Sequence, residues 1–169
     1  MLAKRIIYLI GFMGCGKTTA GRKLAAGLGF SFLDLDQKIE EENMMSVTDI
    51  FARYGEEHFR KLESEALRKL DPAAEIVVAA GGGAPCYIDN IEFMRSTGIV
   101  VYLAMDPVNL RKRLEGRGQK RPLVQGLSGQ SLQEFIEKKL AERSPFYNRA
   151  HIVADGTNPD ISGLVSRVL

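Results

Sequence analysis

The chain has 169 residues, a length that predicts one domain with a sizeable core. Its 23 basic and 21 acidic residues leave a net charge of +2, which argues against a dedicated nucleic-acid surface. Its two cysteines, Cys15 and Cys86, exclude a disulfide framework and favour a reducing cytoplasm.

A phosphate-binding motif follows the first predicted strand. The apolar run Ile6 to Ile10 predicts a strand buried on both faces, and it is too short for a signal peptide or a membrane span. The octet Gly11-Phe12-Met13-Gly14-Cys15-Gly16-Lys17-Thr18 then matches G-x-x-x-x-G-K-[ST] at every fixed position. We therefore expect a nucleoside triphosphate site and no membrane partner.

The spacing of this loop follows from the chemistry of phosphate binding. Its glycines let successive N–H groups converge on phosphate oxygens, and the helix predicted over residues 17–28 adds its positive dipole end. The Lys17 ammonium reaches the terminal phosphates, and the Thr18 hydroxyl can ligate Mg²⁺.

The second predicted strand, residues 30–36, ends in two aspartates. Residues two apart in a strand face the same side, so Asp34 and Asp36 are expected together at the carboxyl end, where open α/β sheets bind ligands. Asp34 is the candidate for Mg²⁺, through water, and Asp36 for the acceptor hydroxyl. The alternative is a solvated turn in which Asp36 caps the next helix.

About 35 residues of predicted helix separate the second and third strands, more than a minimal crossover needs. The three segments are a short acidic helix over 37–45, a second opened by Ser46 and broken by Gly55, and a longer one over 56–70. We expect this insertion to bind the acceptor. On the longer helix, the spacing of Arg60 and Glu63 by itself predicts a surface ion pair.

Three consecutive glycines, Gly81 to Gly83, follow the third predicted strand, residues 75–80. A structural turn needs one or two glycines, whereas three allow a ligand to come very close to the backbone. We therefore interpret them as part of a ligand site.

The rest of the chain predicts two strands and four helices. The strands are 99–103 and 151–154, and the helices are 89–96, 107–115, 131–143 and 161–169. Ser144-Pro145 is expected to end or kink the third of these helices, and Asn158-Pro159 to cap the last. Neither His58 nor His151 shows a partner, so both are interpreted as structural.

A polar, basic, glycine-hinged segment over 115–127 predicts a mobile lid. Phosphoryl transfer needs positive charge on the transferring group, and Arg121, held next to Pro122, is the best candidate to supply it. The alternative is an ordinary basic surface loop.

Taken in order, these motifs resemble the shikimate kinase family over essentially the whole chain. They are Gly11 to Thr19, Asp34-x-Asp36, Phe59-Arg60-x-x-Glu63, Gly81-Gly82-Gly83, Arg121-Pro122-Leu123 and Arg143-x-Pro145-x-Tyr147. Each motif after the first is weak alone, but the ordered set is specific.

The resemblance implies an α/β, three-layer P-loop NTPase fold in a single kinase domain over residues 1–169. The expected five-stranded parallel sheet, in order 2-3-1-4-5, is flanked by helices and carries an acceptor-binding insertion over 36–63 and a mobile lid over 115–127. The implied reaction transfers the γ-phosphoryl group of ATP to the 3-hydroxyl of shikimate, with Mg²⁺, in chorismate and aromatic amino-acid biosynthesis. A cytoplasmic monomer that binds no nucleic acid is the corresponding expectation.

The resemblance also implies roles for individual residues. The nucleotide would contact Gly14, Cys15, Gly16, Lys17, Thr18, Thr19, Arg113 and Arg121, with Thr18 and Asp34 serving Mg²⁺. Shikimate would contact Asp36, Arg60, Gly82 and Arg143. The catalytic residues would be Lys17, Asp36 and Arg121.

Two departures from the family pattern concern the adenine contacts. The spacing from Arg113 to Arg121 is one residue longer than usual, and Thr157 stands where the family often has an arginine. The adenine contact therefore stays open between Arg113 and Arg117.

Three other functions stay open on the sequence. A gluconate kinase shares the loop and the length, but its usual sequence after the aspartate pair is missing. A nucleoside monophosphate kinase needs an aromatic-lined base pocket, for which the helical insertion is short. A nucleotide-gated switch lacks support because no Asn-Lys-x-Asp segment occurs.

Overall fold

The computed structural model describes residues 5–116 and 121–169, and a five-stranded parallel sheet forms its centre. The strands are β1 (Ile6–Ile10), β2 (Ser31–Asp34), β3 (Ile76–Ala79), β4 (Gly98–Ala104) and β5 (Ile152–Asp155). Their order is β2-β3-β1-β4-β5, with every neighbouring pair parallel, so the expected fold and strand order are confirmed.

Helices cover both faces of this sheet. They are α1 (Lys17–Leu28), α2 (Leu35–Asn43), α3 (Val47–Tyr54), α4 (Glu56–Arg68), α5 (Asn90–Thr97), α6 (Pro107–Gly116), α7 (Gly129–Tyr147) and α8 (Ile161–Val168). Two 3-10 helices, Ala84–Cys86 and Pro122–Val124, add single turns. In this described part, no helix is both long enough and apolar enough to cross a membrane.

The central position of strand β1, with helices on both faces, explains why its sequence is apolar at every position. Ile7 and Leu9 pack into one core with α1, α6 and α8, whereas Ile6, Tyr8 and Ile10 pack into a second core with α2, α4 and α5. A strand with helices on both faces has no solvent side, so the alternation typical of a half-exposed strand is lost.

Helix α7 belongs to both cores. Leu132 and Ile136 pack into the first core, Tyr147 packs into the second, and Leu140 contacts both. The helix therefore passes from one face of the sheet to the other and delivers its last turn to the end of β3.

The predicted strand over 30–36 is too long, because β2 ends at Asp34 and Leu35 begins α2. The Asp34 carboxylate caps that helix and accepts the Gln37 N–H at 3.2 Å, while Asp36 lies in the first turn. The expectation that Asp34 and Asp36 share one side of a strand is wrong for this reason. A helix cap does form here, but Asp34 supplies it.

Three further expectations are corrected by the structure. Helix α7 continues through Ser144-Pro145 to Tyr147, whose side chain is fully buried and holds the last turn in place. Asp160, and not Asn158-Pro159, caps α8 by accepting the Gly163 N–H at 2.9 Å. His151 does have a partner, because its Nδ1 accepts the Val100 N–H at 3.0 Å.

The backbone is strained at Ile88, between the first 3-10 helix and α5. Its φ is +47°, in the left-handed region, although the residue is β-branched. This conformation costs an L-residue roughly 1–2 kcal/mol, and the side chain is 70% exposed, so packing recovers little of that cost.

We expect Ile88→Asn to raise the free energy of unfolding by about 1 kcal/mol, because asparagine tolerates the left-handed region at lower cost. Denaturant unfolding measures the change. Val108 is also exposed but lies in helix α6, so Val108→Asn serves as the control and should give no gain. Equal stability of Ile88→Asn and the parent chain would contradict the strain assigned to this position.

Candidate functional site

Two adjoining cavities open at the carboxyl ends of β1, β2 and β3. The large cavity, about 870 Å³, lies among α2, α3, α4, α7 and the glycines after β3. The small cavity, about 100 Å³, lies over the phosphate-binding loop. Both are lined by Asp34, Asp36, Gly81, Gly82 and Arg121, so the two cavities meet at these residues.

The phosphate-binding loop lines the small cavity with Gly14, Gly16, Lys17, Thr18 and Thr19. The Lys17 ammonium donates to the carbonyl oxygens of Gly11 at 2.8 Å and Phe12 at 3.1 Å, which holds the charge beside the loop. The sequence motif thus has the geometry of an anion site at a helix N-terminus.

Cys15 differs from the other predicted loop residues because its side chain faces the core. It is fully buried, with Sγ 3.8 Å from the Lys17 Nζ. Of the predicted nucleotide contacts, Cys15 can therefore offer only its backbone to a phosphate.

Thr18 and Asp34 form a pair of oxygen ligands at the edge of the small cavity. The Thr18 hydroxyl donates to Asp34 Oδ2 at 2.8 Å, across the gap between α1 and β2. Residues 5–116 and 121–169 contain no group of three His, Cys, Asp or Glu side chains that could hold a metal. A hydroxyl and one carboxylate fit Mg²⁺, which is usually bound by few protein oxygens together with water and substrate phosphates.

Asp36 lies between the two cavities, with its Oδ1 buried and without a hydrogen-bond partner among the described residues. Burial raises the pKa of this carboxyl, and the nearby Asp34 raises it further. Lys17, Arg121 and Arg60 oppose the rise because their positive charges favour the carboxylate. The group therefore combines a free acceptor oxygen with an increased affinity for a proton.

Arg60 lies in the wall of the large cavity, where it is almost completely buried. Its Nη1 donates to Glu63 Oε2 at 2.7 Å, and its Nη2 donates to Glu56 Oε1 at 3.0 Å. The surface ion pair expected from spacing is wrong, because Glu63 is completely buried. Glu56 was not predicted as a partner of Arg60, although its position one helical turn before Arg60 was the available signal.

Two of the three glycines after β3 are explained by side chains of the protein itself. A Cβ on Gly81 would lie 2.2 Å from Glu63 Oε1, and one on Gly83 would lie 2.5 Å from the Arg60 Cζ. Any side chain at these two positions would displace the buried ion pair. The sequence predicted that a ligand would come close to this backbone, but at Gly81 and Gly83 the side chains of Glu63 and Arg60 occupy that space. Gly82 still lines both cavities.

Arg143 reaches the same place from α7. It is buried, its Nη1 has no hydrogen-bond partner in the described part of the chain, and its guanidinium lies 5.4 Å from the centre of the Phe12 ring. The Nη1 atom lies 3.1 Å from the point where a Cβ on Gly82 would stand. Arg60 and Arg143 therefore give the large cavity two guanidinium groups, an arrangement suited to an anionic ligand.

The predicted lid is described in part. Residues 117–120, which include the alternative adenine contact Arg117, lie outside the described residues. Arg121 is exposed and lines both cavities. Val124 is buried in the first core, so the second half of the predicted lid is tied to the protein body.

Arg113 lies across the phosphate-binding loop. Its Nη1 is 3.0 Å from the point where a Cβ on Gly16 would stand, and its Nη2 donates to the Thr157 carbonyl oxygen at 3.4 Å. Thr157 thus contacts Arg113 through its backbone, at the position where an arginine side chain was expected.

Comparisons with known proteins agree with one another. The family model described as shikimate kinase matches residues 13–169. A shikimate kinase from Parabacteroides distasonis is 41% identical, over 96% of this chain and 98% of the relative. The crystal structure of a shikimate kinase from Bacteroides thetaiotaomicron has a TM-score of 0.88 at 39% identity, over 96% of this chain and 95% of that one. A shikimate kinase from Acinetobacter baumannii, solved in complex with shikimate, has a TM-score of 0.86 at 36% identity, over 97% and 90% of the two chains.

Glu63 makes this site sensitive to pH. Burial raises the pKa of its carboxyl to about 7, against the lowering effect of Arg60 and with a further rise from Asp36. The positive charge of Arg143 is also near this carboxyl and lowers its pKa. The folded chain binds this proton more tightly than the unfolded chain. The protonated Glu63 therefore adds to the free energy of unfolding at acid pH, and this contribution is lost as the pH rises through about 7.

We expect Glu63→Gln, which imitates the protonated acid, to become more stable relative to the parent chain as the pH rises from about 5 to about 8. The relative gain in the free energy of unfolding is up to about 3 kcal/mol. Denaturant unfolding at several pH values measures it. Glu57→Gln, on the exposed face of the same helix, is the control. If the free energies of unfolding of Glu63→Gln and of the parent chain changed with pH in parallel, Glu63 would have the same pKa in the folded and the unfolded chain, which would contradict the prediction.

Proposed function

Because this chain belongs to the shikimate kinase family, we propose that it transfers the γ-phosphoryl group of ATP to the 3-hydroxyl of shikimate, giving shikimate 3-phosphate and ADP. It is an ATP-dependent kinase that acts on an alcohol group. The reaction belongs to chorismate and aromatic amino-acid biosynthesis, and we place it in the cytoplasm, with a monomer as the working unit.

The observation that carries this proposal is the meeting of the two cavities at Asp36 and Arg121. A kinase must bring an acceptor hydroxyl into line with a terminal phosphate, and a site that joins a phosphate-binding loop to a larger pocket allows this. The two guanidinium groups in the larger pocket favour an acceptor with a carboxylate, as in shikimate.

On the nucleotide side, we assign the phosphates to the backbone of residues 14–19 and to the side chains of Lys17 and Arg121. Thr18 and Asp34 would hold Mg²⁺, which when bound neutralises part of the phosphate charge. Arg113 is assigned to the adenine base, because its guanidinium lies beside the phosphate-binding loop and can stack on a planar ring.

On the acceptor side, we assign the shikimate carboxylate to Arg60 and Arg143 and a further contact to the Gly82 backbone. Asp36 accepts a hydrogen bond from the reacting hydroxyl through the oxygen that has no other partner. The hydroxyl oxygen then forms a bond to the γ-phosphorus while the bond from that phosphorus to the ADP oxygen breaks. The hydroxyl proton passes to Asp36, whose raised pKa favours this late transfer.

Two segments would complete the site. Residues 36–63 form three helices around the large cavity, and we propose that this insertion recognises the acceptor. We propose that residues 115–127 act as a lid, anchored to the first core at Val124, which brings Arg121 onto the transferring phosphoryl group and excludes water.

The proposed function is tested by ADP production from Mg-ATP with and without shikimate. We expect turnover with shikimate and none above background with gluconate or AMP, the acceptors of the two rival kinase classes. Equal ADP production without any acceptor would indicate a nucleotide-hydrolysing switch instead, and turnover with gluconate or AMP would reassign the acceptor.

We expect Asp36→Asn to bind ATP normally and to lower turnover with shikimate by about 10²–10⁴-fold, because the amide cannot take the hydroxyl proton. Steady-state kinetics and nucleotide titration measure the two effects. Asp160→Asn is the matched control, since asparagine can also cap α8 and Asp160 lines neither cavity. Unchanged turnover in Asp36→Asn would remove this carboxylate from the reaction.

A further inference from the structure

Tyr147 is a buried residue that the reaction as described does not use. It lies in the last turn of α7, its side chain is fully buried, and its hydroxyl donates to the carbonyl oxygen of Gly82 at 2.6 Å. Gly82 lines both cavities, so this hydrogen bond holds the backbone of the site itself.

The tyrosine ring is fixed from a second direction. It packs against Tyr102 of β4, with the ring centres 5.0 Å apart and the planes inclined by 32°. Burial raises the pKa of the Tyr147 hydroxyl, although the nearby Arg143 guanidinium lowers it, so the hydroxyl stays protonated and remains a donor. The position of the Gly82 oxygen is therefore set by a rigid group on a neighbouring element.

The orientation of that carbonyl determines the orientation of the next N–H. In a trans peptide the carbonyl of Gly82 and the N–H of Gly83 point in opposite directions. With the carbonyl directed at Tyr147 in the core, the N–H of Gly83 is directed away from the core. Gly83 also lines the large cavity, so this donor is available on the cavity side.

The same helix supplies a charged group to the same place. Arg143 precedes Tyr147 by four residues, so the two side chains share one face of α7. The Arg143 Nη1 is 3.1 Å from the point where a Cβ on Gly82 would stand. The tyrosine hydrogen bond thus fixes the distance between the Arg143 guanidinium and the peptide that joins Gly82 to Gly83.

Resting on the proposed function, we propose that Tyr147 is a positioning residue for acceptor binding. Its hydroxyl orients the peptide between Gly82 and Gly83 so that the Gly83 N–H and the Arg143 guanidinium bind the same anionic acceptor together. Tyr147 does not touch the acceptor, and its effect is expected on acceptor binding rather than on ATP binding.

The test compares Tyr147→Phe with the parent chain. Removing the hydroxyl leaves the Gly82 carbonyl without its partner and lets the peptide rotate, so we expect the KM for shikimate to rise about tenfold. The Kd for ATP should be unchanged, and kcat should fall by less than the KM rises. An unchanged KM for shikimate would overturn the proposal.

Tyr8→Phe is the matched control. Tyr8 is also fully buried, and its hydroxyl hydrogen-bonds the Thr97 hydroxyl at 2.9 Å on the side of β1 that faces α5. This variant loses the same kind of hydrogen bond away from the cavities, so its KM for shikimate should stay at the parent value. An equal rise in KM in both variants would show general loosening of the fold and would overturn the proposal.

A second measurement does not depend on the variant folding. In the ¹⁵N-labelled parent chain, the amide of Gly83 should shift to higher proton frequency when shikimate is added, as expected for a newly formed hydrogen bond. An unshifted Gly83 amide at saturating shikimate would overturn the proposal. If the parent chain neither binds nor phosphorylates shikimate, the proposed function fails together with this inference, whereas normal parent activity with an unaffected Tyr147→Phe removes the inference alone.

Discussion

The site depends on how closely the backbone after β3 approaches charged side chains. Gly81 and Gly83 lie against Glu63 and Arg60 at distances that leave no room for a Cβ. The ion pair is buried, and its arginine also binds Glu56, so its position is fixed from two sides. Because a buried charge without a partner is costly, neither member can move without the other. The glycines, the insertion helix α4 and the end of β3 thus form one rigid unit.

The site around that unit alternates in charge. Arg60 and Arg143 line the large cavity, Lys17 lies beside the small one, and the carboxylates of Asp34 and Asp36 lie where the two cavities meet. Positive groups at both ends suit two anionic ligands, and an acidic group between them suits the proton that must leave when the ligands react. The same arrangement raises the proton affinity of Asp36, because burial and Asp34 together outweigh the three nearby cations.

The phosphate-binding loop and the pair Arg60 and Glu63 differ in how far the local sequence predicts them. The phosphate-binding loop was predicted residue by residue, since its glycines, Lys17 and Thr18 are all close in sequence and each residue type is needed at its position. The pair Arg60 and Glu63 was predicted as exposed, since spacing on a helix says nothing about what packs over it. The glycines after β3, which are distant in sequence, pack closely against this buried pair.

The sequence by itself determined the number and order of the strands along the chain, the phosphate-binding loop and, through the ordered motifs, the family. These features depend on the local residue pattern, because the residues that form each of them are close in sequence. Tertiary structure alone decided that α7 runs through Pro145 to bring Tyr147 to Gly82, and that Glu63 is buried beside Asp36. Each of these depends on contacts between elements far apart in the chain, where packing outweighs local preference.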